Sequence, residues 1–389
     1  MISTSRSGLV LPLLFSTFFF TSIRYASFIS IAETLVIAMF LYLAIKEFQR
    51  LKTILIPIFL SFVIALLFIA LTNDQAIQPF QSSINVIRIF LHYSILFCVI
   101  SLAVRNIRDV RLALYCFIGA AALSVTLQGL PWFSQFIKYS GQRSGFFNYT
   151  PVMAGILLSL ALTLAIYFIA EPSRKNKWFI LLVPILISGI ERTQTVSALV
   201  LICINYTCFF LGTLLQRSMS RNLSYLILLF FNVFFLVTTL NSTVNRFKSI
   251  LDPLSGLTSK TSGRESTIES RIASIKYSIE LATSKPLTGF GFDFQSQKVP
   301  YLSYQPHNYI VMSFQSGGIF SLLLALLFFI TCLTTLVRAL RRNDFVTFSL
   351  VFIPISAMLT NPLISTPTLL APIFLGFVTQ KRFGRLKNI

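Results

Sequence analysis

The chain has 389 residues, of which 55% are hydrophobic and 11% are charged, whereas soluble globular domains carry about 25% charged residues. A net charge of +20 would indicate nucleic-acid binding in a soluble protein, but here the basic residues form short clusters between long apolar runs. The composition therefore excludes a soluble domain. It predicts an all-α, polytopic membrane protein with no nucleic-acid partner.

Apolar stretches of about 16 to 22 residues recur along the whole chain, and this length lets a helix cross a bilayer. They predict about twelve membrane spans. The spans centre near Phe15, Leu35, Val63, Leu96, Ala121, Leu160, Pro184, Ile204, Phe231, Leu323, Phe352 and Ile373.

Basic clusters between the spans predict the topology. When both termini are placed in the cytoplasm, every cluster falls on the cytoplasmic side, as the inside-positive pattern requires. We therefore expect a single integral membrane domain over residues 1–389, with cytoplasmic N- and C-termini. The clusters are Arg6; Lys46, Arg50 and Lys52; Arg105, Arg108 and Arg111; Arg174, Lys175 and Lys177; Arg217 and Arg221; Arg338, Arg341 and Arg342; and Lys381, Arg382, Arg385 and Lys387.

A large outward connection is predicted at residues 241–306, between spans nine and ten. Its position argues against a major-facilitator transporter, whose two halves usually meet at a central cytoplasmic linker. Residues Arg264 to Thr283 predict a helix, because apolar residues recur there at helical spacing. Pro286 and Gly289 are expected to end it. The recurring residues are Ile268, Ile272, Ile275, Ile279 and Ala282.

Four arginines face outward in this topology, against the usual distribution. Arg264 and Arg271 are seven residues apart and so share one face of the predicted helix, beside its apolar stripe. Arg143 lies in the connection after the fifth span, and Arg192 in the very short one between spans seven and eight. Guanidinium groups bind phosphate through a planar fork, so one interpretation is an anionic ligand. The alternatives are a snorkelling side chain at Arg192 and lipid head-group binding.

His307 stands where the large outward connection enters the tenth span, and Asn308 follows it. A neutral imidazole is what a general base needs near neutral pH. An interfacial histidine that ends a loop is the alternative. Gly317 and Gly318 follow about three turns further along the span, where small residues let neighbouring helices pack closely.

Three ionisable residues lie inside predicted spans, where such groups are costly and usually paired. Glu33 and Arg88 lie at similar depth, so a structural ion pair is the preferred interpretation. His92 follows Arg88 by four residues and faces the same way. A role in substrate passage is the alternative.

Three motifs resemble those of the bacterial O-antigen ligase and polysaccharide polymerase superfamily, two of them in a core region at residues 187–336 and one before it. Ile187-Ser-Gly-Ile-Glu-Arg-Thr is similar to the family's Ser-Arg-Gly or Thr-Arg-Ala segment. Arg271 to Gly291 resembles its pattern of arginine, helix and Pro-Leu-Gly-x-Gly. Arg143-Ser-Gly-Phe-Phe-Asn resembles its Arg-x-Gly-x-Phe-x-Asn element. Glu191 departs from the family, which often has a neutral residue before the arginine.

The resemblance implies a glycosyltransferase of the bacterial inner membrane that needs no metal and no cofactor. The implied donor is a glycan linked to undecaprenyl diphosphate, and the acceptor is a hydroxyl of a glycan or of lipid A core at the periplasmic face. Arg192 and Arg271 would bind the diphosphate, with Arg143 or Arg264 assisting. His307 would take the proton of the attacking hydroxyl, supported by Asn308.

Within this family, polymerisation of O-antigen, capsule or exopolysaccharide repeats is preferred, and ligation of finished glycan to lipid A core comes second. Membrane lipids and a chain-length regulator protein are the further partners expected. A glycan flippase or small-solute transporter is the alternative function. It would depend on Glu33, Arg88 and His92 rather than on His307.

Overall fold

The computed structural model describes residues 9–17, 31–128, 130, 133, 139–140, 143–144, 150–170, 174–193, 195–214, 268–293, 308–360 and 367–383. Nearly all regular structure in these ranges is α-helical. The helices are α1 (Val10–Thr17), α2 (Ile31–Lys46), α3 (Phe48–Thr72), α4 (Pro79–Ala103), α5 (Ile107–Leu127), α6 (Pro151–Ala170), α7 (Val183–Thr193), α8 (Val196–Leu214), α9 (Ile268–Ser284), α10 (Tyr309–Arg341), α11 (Phe345–Thr360) and α12 (Pro367–Phe383). Short 3-10 helices run over Asn73–Gln75 and Arg174–Leu181.

Five helices among the described residues are long and apolar enough to cross a membrane. Apart from Phe231, which lies outside the described residues, each predicted span centre falls within a described helix. The chain is thus a mainly helical membrane protein, while the number of twelve spans and the orientation stay predictions. The five candidate spans are Ile58–Gln75, Pro79–Ala103, Ile107–Leu127, Pro151–Ile169 and Tyr309–Arg341.

A short β-ladder interrupts the all-helical pattern expected from the sequence. Strand β1 (Tyr139–Ser140) pairs antiparallel with β2 (Arg143–Ser144), so that Ser140 lies opposite Arg143. The ladder belongs to the connection between α5 and α6. It fixes the backbone at Arg143, one of the four arginines predicted to face outward.

Helix α6 lies at the centre of a group formed with α5, α7, α8 and α11. Its apolar side chains are buried around the whole helix, including Leu157, Leu160 and Leu164. A helix that is apolar on every side has to be enclosed by other helices. We call this group the α6 bundle.

A second group contains α3, α4, α9 and α10. Helix α3 packs on α4, α9 packs on α10, and α3 also contacts α10. Much of α3 carries exposed apolar side chains, such as Ile56 and Phe59. Such a surface is suited to contact with lipid rather than water.

Candidate functional site

Helix α10 is broken at Gly317 and Gly318. Gly317 has φ −128° and ψ 22°, and Gly318 has φ 62° and ψ −154°. The second conformation is one that only glycine adopts without strain. The close helix packing predicted for this pair is present, since a Cβ on Gly317 would lie 2.7 Å from Cε1 of Phe68 in α3. The pair also breaks α10, about two and a half turns from its start.

The hydrogen bonds lost at the break are replaced by a turn from the large predicted connection. In an intact helix, the N–H of Ile319 would bond to the carbonyl of Gln315. Here Ile319 donates to Pro286 O at 2.7 Å, and Gln315 O accepts from Phe290 N at 2.9 Å. The Gly291 N–H donates to Ser316 O, also at 2.9 Å. We call Pro286–Gly291 the docked turn.

Backbone approaches backbone at this contact, and glycines make that possible on both sides. Gly289 has φ +66°, and a Cβ there would lie 2.5 Å from Ser316 O. A Cβ on Gly318 would collide with the carbonyl of Leu287. The Pro-Leu-Thr-Gly-Phe-Gly motif therefore supplies hydrogen-bond partners to backbone groups at the helix break. Such partners are needed because unpaired backbone groups are costly inside a membrane.

The start of α4 holds the residue that follows the docked turn. Phe292 donates its N–H to Ser82 Oγ at 2.9 Å, and its carbonyl accepts from Asn85 Nδ2 at 2.9 Å. The Phe292 ring packs edge-on against Phe68 of α3, with centroids 5.8 Å apart. These contacts are not predicted from the sequence, although two polar side chains in the first two turns of an apolar helix are a usable signal.

A lysine holds the other side of the same turn. Lys285 Nζ donates to Gln75 Oε1 in the connection between α3 and α4. The same ammonium group lies 4.8 Å from the centroid of the Phe290 ring, within the range of a cation–π contact. The docked turn is thus held between α10, α4 and the connection before α4.

Helix α9, which leads into the docked turn, carries Arg271 near its start. The helix prediction for Arg264 to Thr283 is confirmed over Ile268–Ser284, and the helix ends before Pro286 as expected. Its buried side is made of small residues: Ser274, Ser278 and Ala282 are fully buried, whereas Ile272 of the apolar stripe is 49% exposed. Small residues let α9 approach α10 closely. The side chain of Arg271 is outside the described part of the chain.

Asn308 caps α10. Its side-chain oxygen accepts from the N–H groups of Ile310 at 2.9 Å and Val311 at 3.1 Å. Its Nδ2 donates to Leu359 O near the end of α11, at 3.3 Å. Asn308 thus fixes the start of the helix directly after His307, and its supporting role in catalysis stays a prediction. Both His307 and Arg264 lie outside the described residues.

Arg192 occupies the last turn of α7, with an exposed side chain. The threonines around it are buried: Thr193 is 0% and Thr195 is 1% exposed. Thr195 Oγ1 donates to Pro151 O at 3.0 Å, and a Cβ on Gly155 would lie 2.7 Å from the Thr195 Cβ. The backbone that follows Arg192 is thus fixed to the start of α6 through Thr195.

Arg143 lies near this helix through its strand. Strand β2 contacts α7, and only a few residues separate β2 from the start of α6 at Pro151. The structure therefore brings together the segments that carry Arg143 and Arg192. It describes the backbone of Arg143 and not its side chain.

Most of these features lie in a stretch of the chain that matches a known family model. Residues 185–326 match the model of the O-antigen ligase family. This stretch is similar to the O-antigen ligase domain. The resemblance drawn from the motifs is confirmed over this stretch. A comparison with curated proteins gives no match.

The O-antigen ligase match contains Arg192, α9, the docked turn and the break in α10. Arg143 and the start of α4 lie before it. Ser82 and Asn85, which hold the residue after the docked turn, are therefore contributed by the chain outside the matched stretch. The predicted site is assembled as two pairs of elements: β2 with α7, and α9 with α10.

Proposed function

We propose that this protein is a membrane glycosyltransferase of the O-antigen ligase type, which transfers a lipid-linked glycan to a sugar hydroxyl. The proposed donor is glycan attached to undecaprenyl diphosphate. The reaction takes place at the periplasmic face of the bacterial inner membrane, with both termini of the enzyme in the cytoplasm.

The observation that carries this proposal is the docked turn. It joins α9, which bears Arg271, to the broken helix α10, which begins two residues after His307. The three backbone hydrogen bonds between the turn and α10 hold these segments in one arrangement. A general base and a phosphate-binding arginine have to be held in a fixed geometry if they are to act on one substrate.

The chemistry follows from the nature of the donor. The acceptor oxygen attacks the anomeric carbon, the bond from that carbon to the diphosphate oxygen breaks, and the configuration inverts. The acceptor proton passes to His307 as general base. The diphosphate leaves with the bonding electrons, and nearby guanidinium groups neutralise its growing charge without a metal ion.

Arg192 and Arg271 are the proposed diphosphate ligands, with Arg143 or Arg264 assisting. The exposed position of Arg192 on a locked backbone supports this role, since a charged ligand needs an accessible partner that does not have to be reorganised. The contact between β2 and α7 places a second arginine segment nearby.

Polymerisation of glycan repeats is our preferred reaction within this type, and ligation to lipid A core is second. A polymerase would add repeats to a growing glycan and would work with a chain-length regulator protein. A ligase would transfer a finished glycan to lipid A core and would need no such regulator.

A strain lacking the gene, complemented with single variants, tests the shared mechanism. Arg192→Ala, Arg271→Ala and His307→Ala should each reduce surface glycan by roughly 100-fold or more, because each removes a group that stabilises the transition state. Lys276→Ala is the matched control, since Lys276 is an exposed cation on α9 with no proposed role. Immunoblots establish equal protein levels.

The glycan pattern of the deletion strain separates the two reactions. Lipid A core bearing one repeat unit indicates a polymerase, whereas bare core with long chains retained on the carrier indicates a ligase. Wild-type glycan in all three variants would contradict the transferase mechanism. Greater sensitivity of Arg88 and His92 than of His307 would instead favour a flippase or transporter.

A further inference from the structure

A cluster of three arginines lies at the ends of α2, α3, α4 and α12, away from the proposed active site. Glu47 is the single residue between α2 and α3. Its carboxylate pairs with Arg105, which follows α4, and lies 3.6 Å from Arg50 Nη1. One carboxylate is thus shared between two guanidinium groups from different parts of the chain.

Arg382, in the last turn of α12, adds a third guanidinium group. Its Nη2 donates to the carbonyl of Ser101 at the end of α4, at 2.6 Å. Burial lowers the pKa of the Arg382 guanidinium, and the positive charge of Arg50 lowers it further. Ser101 lies four residues before Arg105, so the hydrogen bond to its carbonyl brings Arg382 to the end of α4 that Arg105 follows. Glu47 offsets one of the three positive charges, so the cluster has an excess of positive charge that favours an anion.

Apolar side chains flank the cluster. Ile45, just before Glu47, is 83% exposed, and Phe48, just after it, is 57% exposed. The exposed apolar surface continues along α3 through Ile56 and Phe59. A soluble anion would gain nothing from this surface, whereas an acyl chain would bury it. A basic cluster beside an apolar surface fits a phospholipid, which has an anionic head group and apolar acyl chains.

We propose that Arg50, Arg105 and Arg382 bind the phosphate of an anionic phospholipid, with its acyl chains against Ile45, Phe48 and the outer face of α3. Basic pockets between membrane helices recognise lipid head groups in this way. The site is on the side where the chain's basic clusters gather, which is the cytoplasmic leaflet in the proposed orientation. It is independent of the glycosyltransferase site.

Lipid retention by the purified full-length protein tests this site. The protein is exchanged into a neutral detergent, and binding of phosphatidylglycerol and of phosphatidylcholine is measured by native mass spectrometry. Wild type should retain phosphatidylglycerol in preference to phosphatidylcholine. Arg50→Gln and Arg382→Gln should each weaken phosphatidylglycerol binding roughly fivefold, as expected for one basic residue at an anionic surface.

Two further variants make the result specific. Glu47→Gln should strengthen phosphatidylglycerol binding, because it removes the carboxylate that competes with the lipid for the arginines. A gain of binding cannot arise from misfolding. Arg341→Gln, an exposed arginine in the last turn of α10, is the control for loss of one charge and should leave binding unchanged.

Three results would overturn the proposal. One is unchanged retention in Arg50→Gln and Arg382→Gln, and another is equal binding of phosphatidylcholine. The third is displacement of phosphatidylglycerol by millimolar inorganic phosphate, which would identify a site for a soluble anion instead. If the arginine variants are poorly folded by size-exclusion chromatography, Glu47→Gln alone decides, and an absence of gain contradicts the proposal.

Discussion

Two regions of the molecule present the predicted phosphate-binding arginines, and they are built in different ways. Arg192 lies at the end of α7 in the α6 bundle. The connection that follows it is held to α6 by side-chain contacts: Thr195 packs on Gly155 and donates a hydrogen bond to Pro151 O. The segment of α9 that carries Arg271 is tied to α10 by backbone hydrogen bonds through the docked turn.

The difference follows from the backbone. Helices α6 and α7 are continuous, so their backbone groups are satisfied internally and only side chains need to fit. Helix α10 is interrupted at Gly318, so its free backbone groups need partners from elsewhere in the chain. Side chains can adjust to a substitution, but a backbone-to-backbone contact has little room to do so. The two regions should therefore respond differently to the same added methyl group.

The largest effect is expected for Gly318→Ala. The substitution places a Cβ against the Leu287 carbonyl and forces alanine into a conformation with φ +62°. We expect it to destabilise the folded protein by more than about 3 kcal/mol and to abolish glycan transfer. Thermal unfolding of the purified protein and the glycan assay measure the two effects.

Gly119→Ala is the control for this substitution. Nothing lies within 4 Å of a Cβ at Gly119, and the residue is inside α5. Alanine should therefore stabilise that helix by roughly 0.5–1 kcal/mol. Equal stability of the Gly318→Ala and Gly119→Ala proteins would show that the docked turn does not hold α10.

A smaller effect is expected for Gly155→Ala in the α6 bundle. Its Cβ would lie 2.7 Å from the Thr195 Cβ and 2.9 Å from Thr193 Oγ1, both of which are side-chain atoms. Overpacking of this kind typically costs about 1–3 kcal/mol. Since the connection after Arg192 would shift, glycan transfer should fall more than protein level does. A loss of stability as large as that of Gly318→Ala would remove the distinction between the two regions.

The smallest effect is expected for Asn308→Ala, which removes the cap of α10. Loss of an N-cap side chain costs about 1 kcal/mol. Asn308→Asp should restore part of that stability, because aspartate also caps but cannot donate to Leu359 O. The unfolding midpoint of both proteins is compared with their activity. If Asn308→Asp regains stability and activity together, the residue acts by capping; a stable but inactive protein would contradict this.

The sequence predicted much of the helical framework, because apolar runs of membrane length have few other structural solutions. It also predicted the helix that carries Arg271 and its end before Pro286, since these depend on local spacing and on proline. Arg192 lies in the last helical turn of α7, directly beside the short connection predicted for it.

Long-range pairing could not be predicted in the same way. Asn85 lies 207 residues from its partner Phe292 in the sequence, and Gly317–Gly318 is compatible both with close helix packing and with a break. The sequence also does not show which side of α9 packs on protein: Ser274, Ser278 and Ala282 are fully buried, whereas Ile272 and Ile279 of the apolar stripe are exposed.

The most direct test of the central claim is glycan transfer by the purified enzyme in proteoliposomes. Lipid-linked glycan and an acceptor glycan are supplied, and product and released carrier diphosphate are counted together. Wild type should release one carrier diphosphate per glycan transferred, and Arg192→Ala and His307→Ala should lose both by roughly 100-fold while Lys276→Ala retains both. Transfer at the wild-type rate by Arg192→Ala and His307→Ala would contradict the account.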